Sequence, residues 1–573
     1  MTPSSSISPA RLRDRLWRLC RAHPTLVVAL FALAVALPGT ASLPPLDRDE
    51  SRFAQATAQM LETGDFVRIQ FQDAERNKKP AGIHWLQAAS VAAVSSAEAR
   101  EIWAYRLPSI AGAVATAAAT CWIGALLFGT PTGLLAGLFM AASLGLIGEA
   151  TIAKTDAVLA ALIAVAQGAL AKLYLTATGR TDDQGAAAWA WLFWGATGLS
   201  VLVKGPIGPA ISALTILGVF FANRSLRLVR SLRPLRGLAL LVAISGPWAI
   251  AIGLATEGRF FVEAVGGDML GKVAEGQESH GAPPGYYLAL VWATFWPASL
   301  ALIPAALLVW REQTDPRLRF CVAWALPAWI MFEAASTKLP HYVLPLYPAL
   351  AILCARAILT AQERGGPVWP WRVNTLFWLL IALTLAGLCV AGPELYRAAG
   401  AQPLDVAVAG VIAAGSAFIT WRVWAGRLLS AAALSVALSA AISVWLLEAS
   451  LPSLDRLRVS EQVATAMADQ SPVALTGYYE PSAVFLLGTE TELTTAEGAA
   501  QHLSPAAGGN QGAAVEKRQE AAFLAEARRL GLNLQRTGRV SGLNYSNGDE
   551  VTLSLYKLRG SPDAAPPAKE QRP

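Results

Sequence analysis

Apolar residues run through this chain in long blocks, and the polar positions between them are few and unevenly placed. Windows of about 17 to 25 apolar residues, enough to cross a bilayer as a helix, predict about thirteen spans. They fall near 24–43, 105–128, 132–150, 156–175, 187–203, 206–222, 237–256, 286–309, 320–336, 341–360, 373–392, 404–421 and 428–449. Two segments break the pattern. LDRDESRFAQATAQMLETGDF, from residue 46, sets Phe53, Ala56, Met60 and Leu61 at helical spacing, with Asp47 or Asp49 suited to cap the start and Gly64 to end it. An interfacial helix along the membrane surface is expected there. After about residue 450 the apolar runs shorten: SEQVATAM and QEAAFLAEARRLG read as helices, PVALTGYY and VTLSLYKL as strands. A small C-terminal α/β domain over 451–559 follows, and then the Pro-rich tail 560–573, expected to be disordered.

Composition turns this pattern into a class. Of 573 residues, 54% are hydrophobic and 15% charged, against roughly a quarter charged in soluble domains, so a polytopic α-helical membrane protein is expected. The net charge of +6 is no signature of nucleic-acid binding, because the basic residues cluster in NRSLRLVRSLRPLR, WREQTDPRLR and WRVWAGR, between alternate spans. That is the positive-inside arrangement. With the basic segment 1–23 cytoplasmic and the first span read as an anchor rather than a cleaved signal, the spans form a domain over 24–450. Segments 44–104, 151–155, 257–285, 336–341 and everything after about 450 then share the outer face. The five cysteines lie in or beside apolar runs without CxxC spacing, which fits small buried residues and no disulfide framework.

The outer segments carry the ionisable residues that stand out: Asp49, Glu50, Lys78, Lys79, Asp156, Lys204, His280, Lys338 and His341. Charged groups converging on one membrane face are candidates for function. Cations at that depth, Arg76, Lys78 and Lys79 among them, suit a lipid phosphate. Plainer uses stay open for each: Asp156 as a helix cap, Lys204 and Lys338 as snorkelling ends of spans, His280 as a loop histidine, Lys78 and Lys79 as anchors on anionic head groups.

Six stretches in order, RDESRFAQATAQMLETGDF, NKKPAGIHWLQ, AKTDAVLAAL, LVKGPIGPAI, GQESHGAPPGYYLALVWATFWPASL and STKLPHYVLPLYPALAIL, together resemble a known family across about residues 24–360. It is the membrane glycosyltransferases that include the aminoarabinose transferases acting on lipid A and, more distantly, the protein O-mannosyltransferases. The resemblance implies a GT-C type fold and a hexosyl- or pentosyltransferase of the bacterial inner membrane. It implies a polyprenyl-phosphate sugar donor and an acceptor on the periplasmic side: lipid A or another part of lipopolysaccharide first, another envelope glycan second, protein hydroxyls third. It gives Asp49 and Asp156 as catalytic carboxylates, with the catalytic region in the loop 44–104, and Arg52, Lys79, Lys338 and Tyr342 as ligands of the donor phosphate. Glu50, Lys78, Lys204, His280 and His341 remain substrate-binding candidates. His280 matches a histidine that in the aminoarabinose transferases joins a glutamate on a metal ion. Here Lys78 stands where that glutamate would be, a dication beside it would be repelled, and no bound metal or other cofactor is expected. A second departure is Phe53 in place of a more usual Tyr. A transporter or flippase of lipid-linked sugars is the alternative class, and it calls for broken helices and polar groups near the bilayer midplane.

Overall fold

The architecture is that of a computed structural model, which describes residues 22–182, 185–270, 281–504 and 510–559. Most of it is helix. Eight of the described helices are long and apolar enough to cross a membrane, from Ile102–Phe128 to Leu428–Ser453. The number becomes ten if two bent pairs each count as one span: Thr130–Ala141 with Leu144–Ala150, bent by 57°, and Tyr286–Thr294 with Ala298–Arg311, bent by 112°. The remaining expected windows fall on Pro24–Ala36 and Ile207–Asn223, which are shorter, and on Pro316–Ala334, which carries Arg317, Arg319 and Glu333. Large apolar side chains such as Leu235, Leu254 and Ile250 stay exposed on the outer helices. That is the surface lipid would cover, since backbone polar groups are already satisfied within each helix. Cys121, Cys321, Cys354 and Cys389 are buried free thiols.

The C-terminal region forms a five-stranded sheet in the spatial order Glu492–Leu493, Val473–Thr476, Gly512–Glu516, Glu550–Leu558, Leu534–Leu543. The strands are β3 Val473–Thr476, β4 Glu492–Leu493, β5 Gly512–Glu516, β6 Leu534–Leu543 and β7 Glu550–Leu558; β3 runs parallel to β4 and β5, and β7 antiparallel to β5 and β6. Alternation of side chains along each strand gives two cores. Leu475, Leu553 and Leu555 pack with Val459 and Val463 on one face, while Ala513, Val515 and Tyr556 pack with Phe523 and Ala527 on the other.

The loop after the first helix joins these two regions. The helix Arg48–Thr63 begins where Asp47 Oδ1 accepts from the Glu50 amide at 2.9 Å and ends at Gly64, whose φ of +72° is the left-handed conformation that glycine adopts most readily. A short hairpin, β1 Gln70–Phe71 with β2 Ala74–Glu75, leads to a second helix, Gly82–Val94. The helix 48–63 is covered on two sides. Ala56 and Met60 pack with Leu202, Trp248 and Phe260 of the helical domain. Ala54 and Ala58 form a second apolar stripe that packs with Val91, Tyr105 and Phe485, the last of these from the C-terminal domain.

Candidate active site

Asp49 and Glu50 are neighbours on the first turn of the helix Arg48–Thr63 but face different surroundings. Glu50 points inward. Its two oxygens accept from Arg106 Nε at 2.7 Å and Nη2 at 2.9 Å, and Oε1 also accepts from the Ala153 amide at 2.8 Å. Arg106 spends its other donors on the carbonyls of Thr40, Leu43 and Pro44. Glu50 is thus a tie between three backbone segments, with its acceptor positions in use. Asp49 turns to the surface, with Arg52 Nη1 at 3.6 Å and Arg76 Nη2 at 3.3 Å from the same carboxylate oxygen. Arg76 lies 4.6 Å over the Phe53 ring, which fixes the guanidinium against an aromatic face. Because Asp47 is the cap, Asp49 is released from that use.

A second carboxylate opens the helix Asp156–Ala177. Thr155 occupies the cap position there and makes no side-chain capping bond, so Asp156 is not a cap either. Asp156 Oδ1 is in close contact with the Lys204 ammonium, and Oδ2 lies 3.7 Å from His341 Nε2. Lys204 is the last residue of the helix Ala186–Lys204, which stops because Gly205 takes a φ of +64°. Its ammonium sits 5.2 Å from the centre of the Tyr342 ring. His341 Nδ1 lies 3.4 Å from Glu149 Oε1, and the same oxygen is 3.4 Å from Lys154 Nζ, which reaches Asp47 Oδ2 at 3.8 Å. Burial disfavours charge on Lys154, but the carboxylates of Glu149, Asp47, Asp156 and Asp49 outweigh it and hold the ammonium above its usual range.

Beside this row lies a cavity of about 730 Å³. Lys78, Lys79, Lys204, Asp156 and Tyr342 stand at its wall. The rest of the lining is largely apolar and includes Leu202, Trp248, Phe260, Phe261, Met331 and Phe332. An apolar chamber with three lysines in its wall suits an anion on a hydrocarbon tail. Asp49, Arg52, Lys338 and His341 are not among the lining residues. Lys338 is buried and donates to the carbonyls of Ala282, at 2.8 Å, and Ala335. It therefore ties the segment around 281 to that around 337, where Gly281 and Thr337 form a bridge.

His280 lies outside the described residues. Glu149, Asp156 and His341 offer ligand atoms within 4.8 Å of one another, a donor set of the kind a divalent cation uses. The fit fails on charge: the ammonium groups of Lys154 and Lys204 already lie against Glu149 and Asp156, and a dication would meet both. Glu149, Lys154 and Arg106 were not singled out by the sequence. A lone carboxylate inside the apolar window 132–150 was the available signal for Glu149.

The family described as dolichyl-phosphate-mannose-protein mannosyltransferase matches residues 21–255. A curated relative, the undecaprenyl phosphate-alpha-4-amino-4-deoxy-L-arabinose arabinosyl transferase of Yersinia pestis (strain Pestoides F), is 28% identical over 412 residues, 69% of this chain and 71% of its own length. Its counterpart in Pectobacterium carotovorum is 28% identical over 386 residues, 65% of this chain and 66% of its own. Among solved structures, ArnT from Cupriavidus metallidurans bound to undecaprenyl phosphate superposes with a TM-score of 0.72 at 17% identity, over 94% of this chain and 98% of that one. The Archaeoglobus fulgidus oligosaccharyltransferase reaches 0.50 at 12% identity, over 89% and 69%. At these identities the superpositions speak for the fold.

Fold and sequence matches together make this chain a multi-pass membrane glycosyltransferase of the GT-C type. Within that class it is related to the aminoarabinose transferases and, through its first half, to the protein mannosyltransferases.

Proposed function

We propose that this glycosyltransferase takes a sugar from a polyprenyl-phosphate donor seated in the apolar cavity and transfers it to lipid A or another part of lipopolysaccharide at the periplasmic face of the inner membrane. The observation that carries the reading is the cavity itself: hydrocarbon-lined, about 730 Å³, with Lys78, Lys79 and Lys204 at its wall beside Asp156. An isoprenoid tail matches the apolar lining, and the ammonium groups match the phosphate. The names of the curated relatives support undecaprenyl phosphate as carrier.

The chemistry proposed is one displacement with inversion at the anomeric carbon. The bond from that carbon to the phosphate oxygen breaks as the bond to the acceptor oxygen forms, and the bonding pair leaves on polyprenyl phosphate. Lys78, Lys79 and Lys204 stabilise the charge that develops on the departing phosphate. With a hydroxyl acceptor, Asp49 takes its proton, and Asp156, held by Lys204 and His341, orients the sugar. With a phosphate acceptor no proton needs to move, and the carboxylates face the positive charge that grows on the sugar. The Arg52 and Arg76 pair holds Asp49 in place. In this reading Glu50 and Lys338 hold backbone rather than substrate. The C-terminal domain packs against the loop 44–104, which puts both on one side of the membrane, taken here as periplasmic.

Mass spectrometry of envelope lipids and of polyprenyl-phosphate sugars in wild type, a deletion strain and Asp49→Asn tests this. Loss of one sugar from one glycolipid, with build-up of its polyprenyl donor in both mutants, is the expected result. An Asp49→Asn strain with the wild-type lipid profile would remove Asp49 from the chemistry. A second acceptor class, protein hydroxyls, is favoured by the mannosyltransferase match over residues 21–255. It would show instead as a lost glycan on envelope proteins with lipids unchanged.

A further inference from the structure

Between the two proposed carboxylates stands a buried cation that the chemistry above does not use. Lys154 lies in the segment 151–155, with its side chain only 8% exposed. Its ammonium is 3.8 Å from Asp47 Oδ2 and 3.4 Å from Glu149 Oε1. Each partner is one step from the site. Asp47 caps the helix whose first turn carries Asp49. Glu149 meets His341, which meets Asp156. The backbone around Lys154 is held without its ammonium: the Ala153 amide donates to Glu50 at 2.8 Å, Gln87 Nε2 donates to the Ala153 carbonyl at 3.0 Å, and Ser109 Oγ donates to the Lys154 carbonyl at 3.2 Å. Taking an ammonium out of water is unfavourable unless its ion partners offset the loss, so a charge kept where the chain is already anchored has another use.

We propose that Lys154 is a positioning residue, a fixed internal cation that holds the Asp47–Asp49 turn and the Glu149–His341–Asp156 row in register so that both carboxylates address one donor sugar. This rests on the reading of Asp49 and Asp156 given above. Lys154 is not among the residues that line the cavity, so its loss alters the alignment of the reacting groups and leaves donor binding by Lys78, Lys79 and Lys204 in place.

The test is steady-state transfer by the full-length protein in lipid nanodiscs, with undecaprenyl-phosphate aminoarabinose and undecaprenyl-phosphate mannose as donors and lipid A as acceptor. Thermal unfolding is followed in parallel. Lys154→Met is expected to lower kcat by about 100-fold, the scale of a small misplacement of reacting groups, with KM for the donor within about twofold of wild type. Lys154→Arg should recover about tenfold of that loss by restoring a cation. Glu149→Gln removes the ammonium's partner without touching the segment 151–155, and it should give the same loss in kcat alone, which keeps the test sharp if Lys154→Met folds poorly. Wild-type kcat in Glu149→Gln or in a folded Lys154→Met overturns the proposal, as does a loss that falls equally on KM and thermal stability. A wild-type protein that transfers neither sugar to lipid A overturns the functional reading, and the role of Lys154 falls with it.

Discussion

Asp49 and Glu50 are adjacent in sequence and differ by one methylene, yet they belong to different parts of the molecule. The Glu50 side chain is 2% exposed and saturated by Arg106 and a backbone amide. The Asp49 side chain is 50% exposed, and the arginines beside it meet a single oxygen. A buried, fully partnered ion pair is expensive to break and indifferent to what lies outside. A half-exposed carboxylate beside two guanidinium groups stands where solvent, and so a substrate, can reach it. The difference separates framework from site more sharply than residue type does, and it can be broken from either side. Asp49→Asn should abolish transfer, with activity down about a thousandfold or more if it accepts the acceptor's proton, while the melting temperature stays near wild type. Glu50→Gln should do the reverse. It leaves the Arg106 guanidinium buried without its counter-ion, a loss of about 3–5 kcal/mol, seen as low yield and early unfolding in detergent. Restored stability in Glu50→Gln combined with Arg106→Met would locate the effect in that pair, and equal activity losses for Asp49→Asn and a folded Glu50→Gln would dissolve the distinction.

Sequence carried the membrane architecture because lipid imposes a length and an apolarity that composition alone reveals. Each expected window falls on a helix or a bent pair of helices, although eight to ten of these meet the full length and apolarity of a span. The ends of the helix 48–63 were legible for a local reason, an Asp and a Gly whose capping roles need only neighbouring backbone. Division of labour between Asp49 and Glu50 was not legible, because Arg106 lies 56 residues further along the chain. Lys338 has the residue type that suits phosphate but spends its donors on carbonyls, which no pattern in STKLPHY announces. The buried second face of the helix 48–63 was missed because Ala54 and Ala58 are too small to register as an apolar stripe, and small residues are what let the C-terminal domain come close.

That docking is the next point at which framework and site can be separated. Thr489 of the C-terminal domain accepts from Gln55 Nε2 at 2.8 Å and Arg100 Nη2 at 2.9 Å and donates to Glu62 Oε2 at 2.7 Å. Its hydroxyl is fully used. Thr489→Val keeps the shape and removes all three bonds, leaving polar partners unpaired, with an expected cost of about 1–3 kcal/mol. Hydrogen exchange should then rise in the helix 48–63 and in Pro481–Leu487, and transfer should fall by less than for Asp49→Asn. Unchanged exchange in both helices would mean that packing of Phe485 alone holds the domain down.

The smallest effect expected is a pH dependence beneath the same helix. His84 is wholly buried, and its Nδ1 lies 2.8 Å from Thr57 Oγ1. That hydroxyl has its own acceptors in the Phe53 carbonyl and Gln87 Oε1. In the tautomer with its proton on Nδ1 the imidazole donates to Thr57, and Nε2, which has no hydrogen-bond partner, is where a second proton would go. Burial first and the nearby Arg76 cation second push the imidazole down to about 3 from 6.5. The sign follows from which state binds the proton first. Unfolded chain takes it up as pH falls through 6.5 and the folded protein only near 3, so stability present at neutral pH is lost progressively as pH falls across that window, by at most about 1.4 kcal/mol per pH unit. His84→Asn keeps a donor for Thr57 and removes the titration. Between pH 7 and 5 the wild type should therefore lose about 1–2 kcal/mol more than the variant, read as a steeper drop in melting temperature. Parallel slopes would mean that the imidazole already finds a partner for its second proton in the folded protein. Arg76 would then be less effective at excluding positive charge from beneath Phe53 than its position over that ring implies.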